Sequence, residues 1–133
     1  MREIKFRGKS KRSRRWFYGS LIVQKHKMKV TSLDGDLYEY KYSIQYLNKN
    51  NNWSTIEVLP ETVGQFVGSG EYGDIYEGMD LYDEYAEENC TIEYDEEDCG
   101  FRLCYSDYTE RIEGLSGLHI LNDNPELLEK GQD

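Results

Sequence analysis

The sequence predicts a mainly β fold, a small barrel- or sandwich-like single domain over residues 1–133 with a short helix at its C-terminal end. Three observations carry that expectation. Apolar residues alternate with polar ones along much of the chain, turn residues punctuate the alternation at short intervals, and only the tail has a helix signature.

Ile4 and Phe6 alternate with charged residues, as in a short edge strand. Lys9 to Arg15 reads as a basic turn or loose loop. Trp16 to Val23 is apolar enough to be a strand buried on both faces for part of its length. Met28 to Leu33 alternates again and meets Asp34-Gly35, a pair that accepts positive φ and so marks a hairpin. The return strand runs from Leu37 through Tyr38, Tyr40, Tyr42 and Ile44 to Leu47. Asn48 to Asn52 is a loop, because asparagine side chains bond their own backbone in turns. Trp53 to Val58 is a further strand, ended by Pro60, and Val63 to Val67 another. Gly68, Gly70, Gly73 and Asp74 read as a loop before Ile75 to Gly78.

Leu81, Tyr82 and Tyr85 suggest a strand kept near the surface by Asp83, Glu84, Glu87 and Glu88. Thr91–Tyr94 and Gly100–Tyr105 flank Asp95, Glu96, Glu97, Asp98 and Cys99, a hairpin pattern. Leu115 to Leu121 is the last apolar stretch. In the tail, Asn124 suits a cap, Pro125 the first helical position and Gly131 the stop. So short a helix needs Leu127 and Leu128 docked on the body to persist.

Hydrophobic residues make up only 38% of the chain, but twelve Tyr, four Phe and two Trp supply large buried areas. That argues for a folded domain over disorder. No apolar run is long enough to span a membrane as a helix, and three cysteines, an odd number, suit a reducing compartment; the expected location is the cytoplasm. Charge is uneven. Residues 1–30 carry eleven Lys/Arg and one acid, and residues 31–133 five Lys/Arg and twenty-five acids.

Glu61 to Gly68 with Tyr76-Glu77-Gly78-Met79-Asp80-Leu81 resembles the central signature of the YopX family, small proteins encoded mainly by bacteriophages and prophages. Met1 to Arg7 is similar to that family's start, and Asn124 to Glu129 to its tail. The three matches stand in family order along the whole chain. The resemblance implies a β-rich, barrel-like body of phage or prophage origin and no assigned biochemical activity. Met79 departs from the family pattern as an inserted residue, which places the strand register there in question.

No catalytic constellation stands out. His26 lies among Lys25, Lys27 and Lys29, and His119 lies inside Leu118-His119-Ile120-Leu121, the usual setting of a structural histidine. Cys90, Cys99 and Cys104 lack the close pairs of a zinc site. The acidic runs lack the spacing of a calcium loop, and the glycines are spaced for turns, not for a phosphate cradle. The expectation is a binding protein, not an enzyme, with no cofactor, metal or membrane.

Two binding surfaces are candidates. Lys9, Lys11, Arg12, Arg14 and Arg15 beside Trp16, Phe17 and Tyr18 combine phosphate-pairing charge with stacking rings, as single-strand binders do. The acidic body makes the expected nucleic-acid binding weak. Alternatively, Asp83, Glu84, Glu87 and Glu88 with Asp95, Glu96, Glu97 and Asp98 form an acidic surface imitating DNA toward a host DNA-binding protein. The expected partner is accordingly a host or phage protein, a nucleic acid, or a second copy of the chain.

Overall fold

A computed structural model describes residues 3–32 and 35–121. The tail helix, with Leu127 and Leu128, and Asp34 of the hairpin turn lie outside the described residues. The fold is mainly β. Eleven strands and one 3-10 turn, Pro60–Thr62, account for the regular structure among the described residues. No helix among them is long and apolar enough to cross a membrane. The chain divides into two compact units, one of Lys5–Val63 and one of residues 64–121 with Glu3 and Ile4.

The first unit holds β1 (Phe6–Lys9), β2 (Trp16–Ser32), β3 (Gly35–Leu47) and β4 (Trp53–Glu57), an antiparallel meander in the order β4-β3-β2-β1. It is not a closed barrel. Its two ends approach through one bridge, Ser10 with Val58, flanked by Lys11 N–H to Glu57 O (3.1 Å) and Leu59 N–H to Lys9 O (2.8 Å). Directly opposed residues share a face, so Ile44, Ile56 and Leu21 point to one side with Val58, and Ile44 and Val58 are fully buried there. Gly19 faces β3 so closely that a Cβ would sit 2.0 Å from the Gln45 carbonyl oxygen.

β2 is a single strand of 17 residues, where the sequence suggested two runs with a break. Its far half pairs with the near half of β3, and both are exposed along residues 23–29 and 35–41. The two strands leave the sheet as a ribbon with no covering layer on either face among the described residues. No residue of Trp16–Val23 is buried, Tyr18 and Val23 being exposed and the other apolar side chains half-buried, which corrects the expectation of a strand buried on both faces for part of its length. Ile4 lies outside β1 and is exposed.

The second unit holds β5 (Gly64–Gly70), β6 (Gly73–Tyr76), β7 (Asp80–Asp83), β8 (Glu88–Asp95), β9 (Gly100–Cys104), β10 (Thr109–Arg111) and β11 (Leu118–Ile120). β5 and β6 form a hairpin, and the other five lie in the order β10-β9-β8-β7-β11. The core of this unit is Phe66, Ile75, Tyr76, Met79, Leu81, Cys90, Ile92, Leu103, Tyr105 and Leu118, with Phe66 and Tyr76 in edge-to-face contact at 5.4 Å.

Three expectations are corrected in this unit. Gly68 and Gly70 belong to a strand, not a loop: a bulge between Phe66 and Gly68 absorbs Val67, and the turn is confined to Glu71 and Tyr72. Tyr85 leaves β7 for the following turn. Met79 shifts no strand out of register, because Gly78 takes φ +85 and turns the chain so that Met79 enters the core. β10, three exposed polar residues, had no apolar alternation to reveal it.

Candidate nucleic-acid interface

The basic segment is an ordered turn, not a loose loop, and buried Ser10 organises it. Its hydroxyl accepts from Arg12 N–H (3.1 Å) and Ser13 N–H (3.3 Å), while its backbone N–H donates to Arg15 O and its carbonyl accepts from Arg14 N–H. Arg14 closes the turn at φ +64, an uncommon conformation for a residue with a Cβ. Thr62 ties the strand behind it, accepting from Lys9 N–H at 2.8 Å and donating to Leu59 O at 2.7 Å.

The five basic candidates therefore separate. Lys9 is part of β1, with its ammonium 5.2 Å from the Trp16 ring centroid; the Arg7 guanidinium lies at 3.7 Å from the same ring. Lys11 pairs with Glu57 at 3.0 Å. Arg12 and Arg14 project into solvent. Arg15 is half-buried and lines a shallow cleft of about 150 Å³ with Phe17, Tyr46, Leu47, Asn48 and Lys49. Phe17 and Tyr46 meet in that cleft at 4.9 Å. Beside it, Leu47 stands opposite Trp53, and both are exposed, Trp53 by 69%.

Pairing register reveals a second basic and aromatic strip that sequence reading missed. On the ribbon, Lys25 opposes Tyr40, Lys27 opposes Tyr38 and Val23 opposes Tyr42, so these residues share one face. Lys25 lies 4.1 Å from the Tyr38 ring centroid, and Lys27 pairs with Asp36 at 3.0 Å. The opposite face carries Gln24 and His26 against Lys41 and Glu39. A signal was available. A hairpin centred on Asp34-Gly35 pairs Leu33 with Asp36, whereas the pairing found is Ser32 with Gly35. That slip and the bulge before Thr31 each shift the register by two residues, which leaves every side chain on the face it already occupied.

The acidic candidates are placed otherwise than expected. Asp83 is no surface group: it is buried, accepting from Tyr105 O–H (2.6 Å), Tyr85 N–H (3.0 Å) and Ala86 N–H (3.3 Å). Glu84 lies 3.4 Å from His119, and Glu88 accepts from both the hydroxyl and the N–H of Ser106. Glu87 is exposed at φ +55. In the other cluster Asp95 caps Glu97 N–H, Asp98 holds Arg102, and Glu96 and Glu97 are exposed. The two clusters sit at opposite ends of the eight-residue β8, a rise of roughly 23 Å. The continuous phosphate-like track that mimicry of DNA requires is not formed by them.

Cys90 and Tyr105 are held in their protonated forms. Burial, then the charge of Asp83, pushes the Cys90 thiol up to about 11. Burial and the hydrogen bond to Asp83 hold the Tyr105 phenol far above its ordinary value. Cys90 faces the same side as Tyr105, whereas Cys104, opposite Thr91, faces the other. His119, in β11, is half-exposed and stacked on Tyr72 at 4.0 Å. Among the described residues no group of three His, Cys, Asp or Glu side chains is placed to hold a metal ion.

Charge follows the two units. Residues 5–63 carry twelve Lys/Arg and five Asp/Glu, and residues 64–130 three and nineteen. No family model, no curated protein and no solved structure matches the chain.

Proposed function

We propose that this chain is a nucleic-acid-binding module that acts by binding and not by catalysis, and that the unit Lys5–Val63 is its binding part. The observation that carries this reading is the hydrogen-bonded Ser10-centred turn, which exposes Arg12 and Arg14 while Arg15 lines the aromatic cleft of Phe17 and Tyr46 on the cationic unit. A backbone held by five or more hydrogen bonds presents its cations with little further ordering cost, and phosphate contacts release counterions. The anionic unit opposes the attraction, so binding is weak at physiological salt. Membership of the YopX family, phage or prophage origin and a cytoplasmic location belong to the same proposal.

The test is fluorescence anisotropy of labelled DNA and RNA oligonucleotides with the full chain between about 50 and about 200 mM salt. Affinity falls steeply with salt, and Arg12→Ala with Arg14→Ala lowers the log–log slope by roughly 0.7–0.9 per lost phosphate contact. No binding at the lowest salt, or a slope untouched by the double substitution, sinks the reading.

A further inference from the structure

We infer that the β2–β3 ribbon is a second contact that selects single-stranded nucleic acid, with bases stacking on Tyr38 and Tyr40 while Lys25 and Lys27 meet the phosphates. This deepens the proposed function and rests on it. The ribbon is more strand than the fold requires. Both its faces are exposed over residues 23–29 and 35–41, and a two-stranded ribbon in water is marginal on its own. The chain nevertheless extends β2 to 17 residues.

What the ribbon displays is chemically one-sided. One face pairs Lys25 with Tyr40 and Lys27 with Tyr38, and both rings are about half exposed, at 55% and 46% for Tyr40 and Tyr38. The lysines are already at work on weak local partners, Lys25 on the Tyr38 ring and Lys27 on Asp36. Both interactions are solvent-exposed, where neither a cation–π contact nor an ion pair holds strongly, so a phosphate exchanges for them readily.

Geometry distinguishes the single strand from the duplex. Tyr38, Tyr40 and Tyr42 recur every second residue on one strand, about 7 Å apart. That is twice the ~3.4 Å rise per nucleotide of a stacked strand. Successive rings can therefore each take a base only where the bases are not stacked on one another. A duplex offers no free base faces to such rings; a splayed strand does, and stacking tolerates any sequence.

The experiment compares a fluorescein-labelled oligothymidine with a labelled mixed-sequence duplex, each titrated with the full chain at low salt. Tyr38→Ala with Tyr40→Ala weakens oligothymidine binding by at least about tenfold and changes duplex binding by less than about twofold. Tyr38→Phe with Tyr40→Phe, which keeps the rings, stays within about threefold of the parent. Circular dichroism of each variant verifies the fold. Unchanged oligothymidine affinity in the alanine variant, an equal loss on the duplex, or loss in the phenylalanine variant overturns the inference. So does a change in sedimentation of the alanine variant that shows the ribbon to be a contact between copies. If the alanine variant binds normally while the Arg12 and Arg14 substitutions still lower the salt slope, the ribbon inference fails alone and the proposed function stands.

Discussion

Asp83 and Tyr105 show how a residue can be read correctly by type and wrongly by role. The run Asp83, Glu84, Glu87, Glu88 looks like a solvated edge, yet one of the four carboxylates is the polar centre of the second unit's core. Neither the alternation nor the turn signals say which acid turns inward; that depends on Tyr105 arriving at 2.6 Å from just beyond the end of β9. Tyr105→Phe removes one donor from a buried carboxylate. The expected cost is about 1.5–3 kcal/mol, measured by urea denaturation at neutral pH. A second expectation belongs to Cys90. Its thiol is raised from 9.0 to about 11 in the folded chain, so the unfolded state releases this proton first. The stabilisation is complete below about pH 9 and is lost as pH rises toward about 11. Urea midpoints of the parent and Cys90→Ala should therefore converge across that interval, the parent falling more steeply; parallel curves would contradict the burial argument.

Among elements, hairpins were the most legible feature, because their turn residues and flanking alternation lie close together in sequence. The β8–β9 hairpin stands where the pattern places it, and β2 and β3 pair as the Asp34-Gly35 signal expects, although Gly35 belongs to β3. Elements lacking one of those signals were missed or misread in whole or in part: β10 has no apolar side chain, and the glycine-rich end of β5, Gly68 to Gly70, resembles a loop. The candidate site was half legible. The five basic residues identify the turn, but separating exposed Arg12 and Arg14 from engaged Lys9 and Lys11 requires Glu57 and Trp16, contributed by other strands. The exposed ribbon also yields an expectation about stability. Val23 and Tyr42 are directly paired, so residues 24–41 can be replaced by an Asn-Gly turn. Because the removed strands bury little, the melting temperature should move by less than about 4 °C, on the order of 1 kcal/mol, in a scanning calorimeter. Loss of the folded state would make the ribbon a structural element.

At the scale of the whole molecule, the formal charge of −10 conceals a division into unlike parts. The sequence shows the gradient plainly, since the basic residues come early and the acidic ones late. What it cannot show is that the division coincides with a boundary in the fold near Val63, because that boundary is made by long-range strand pairing.

One consequence concerns crowds of these molecules instead of single ones. A particle whose Lys5–Val63 portion bears +7 while residues 64–130 bear −16 is a patchy colloid, not a uniformly repelling polyanion. In dilute buffer the cationic patch of one copy attracts the anionic patch of the next, although the mean charge repels. At physiological ionic strength the screening length is about 8 Å, and that mutual attraction fades. The protein should therefore salt in: turbid and self-attracting in low-salt buffer, clear and dispersed near cellular ionic strength.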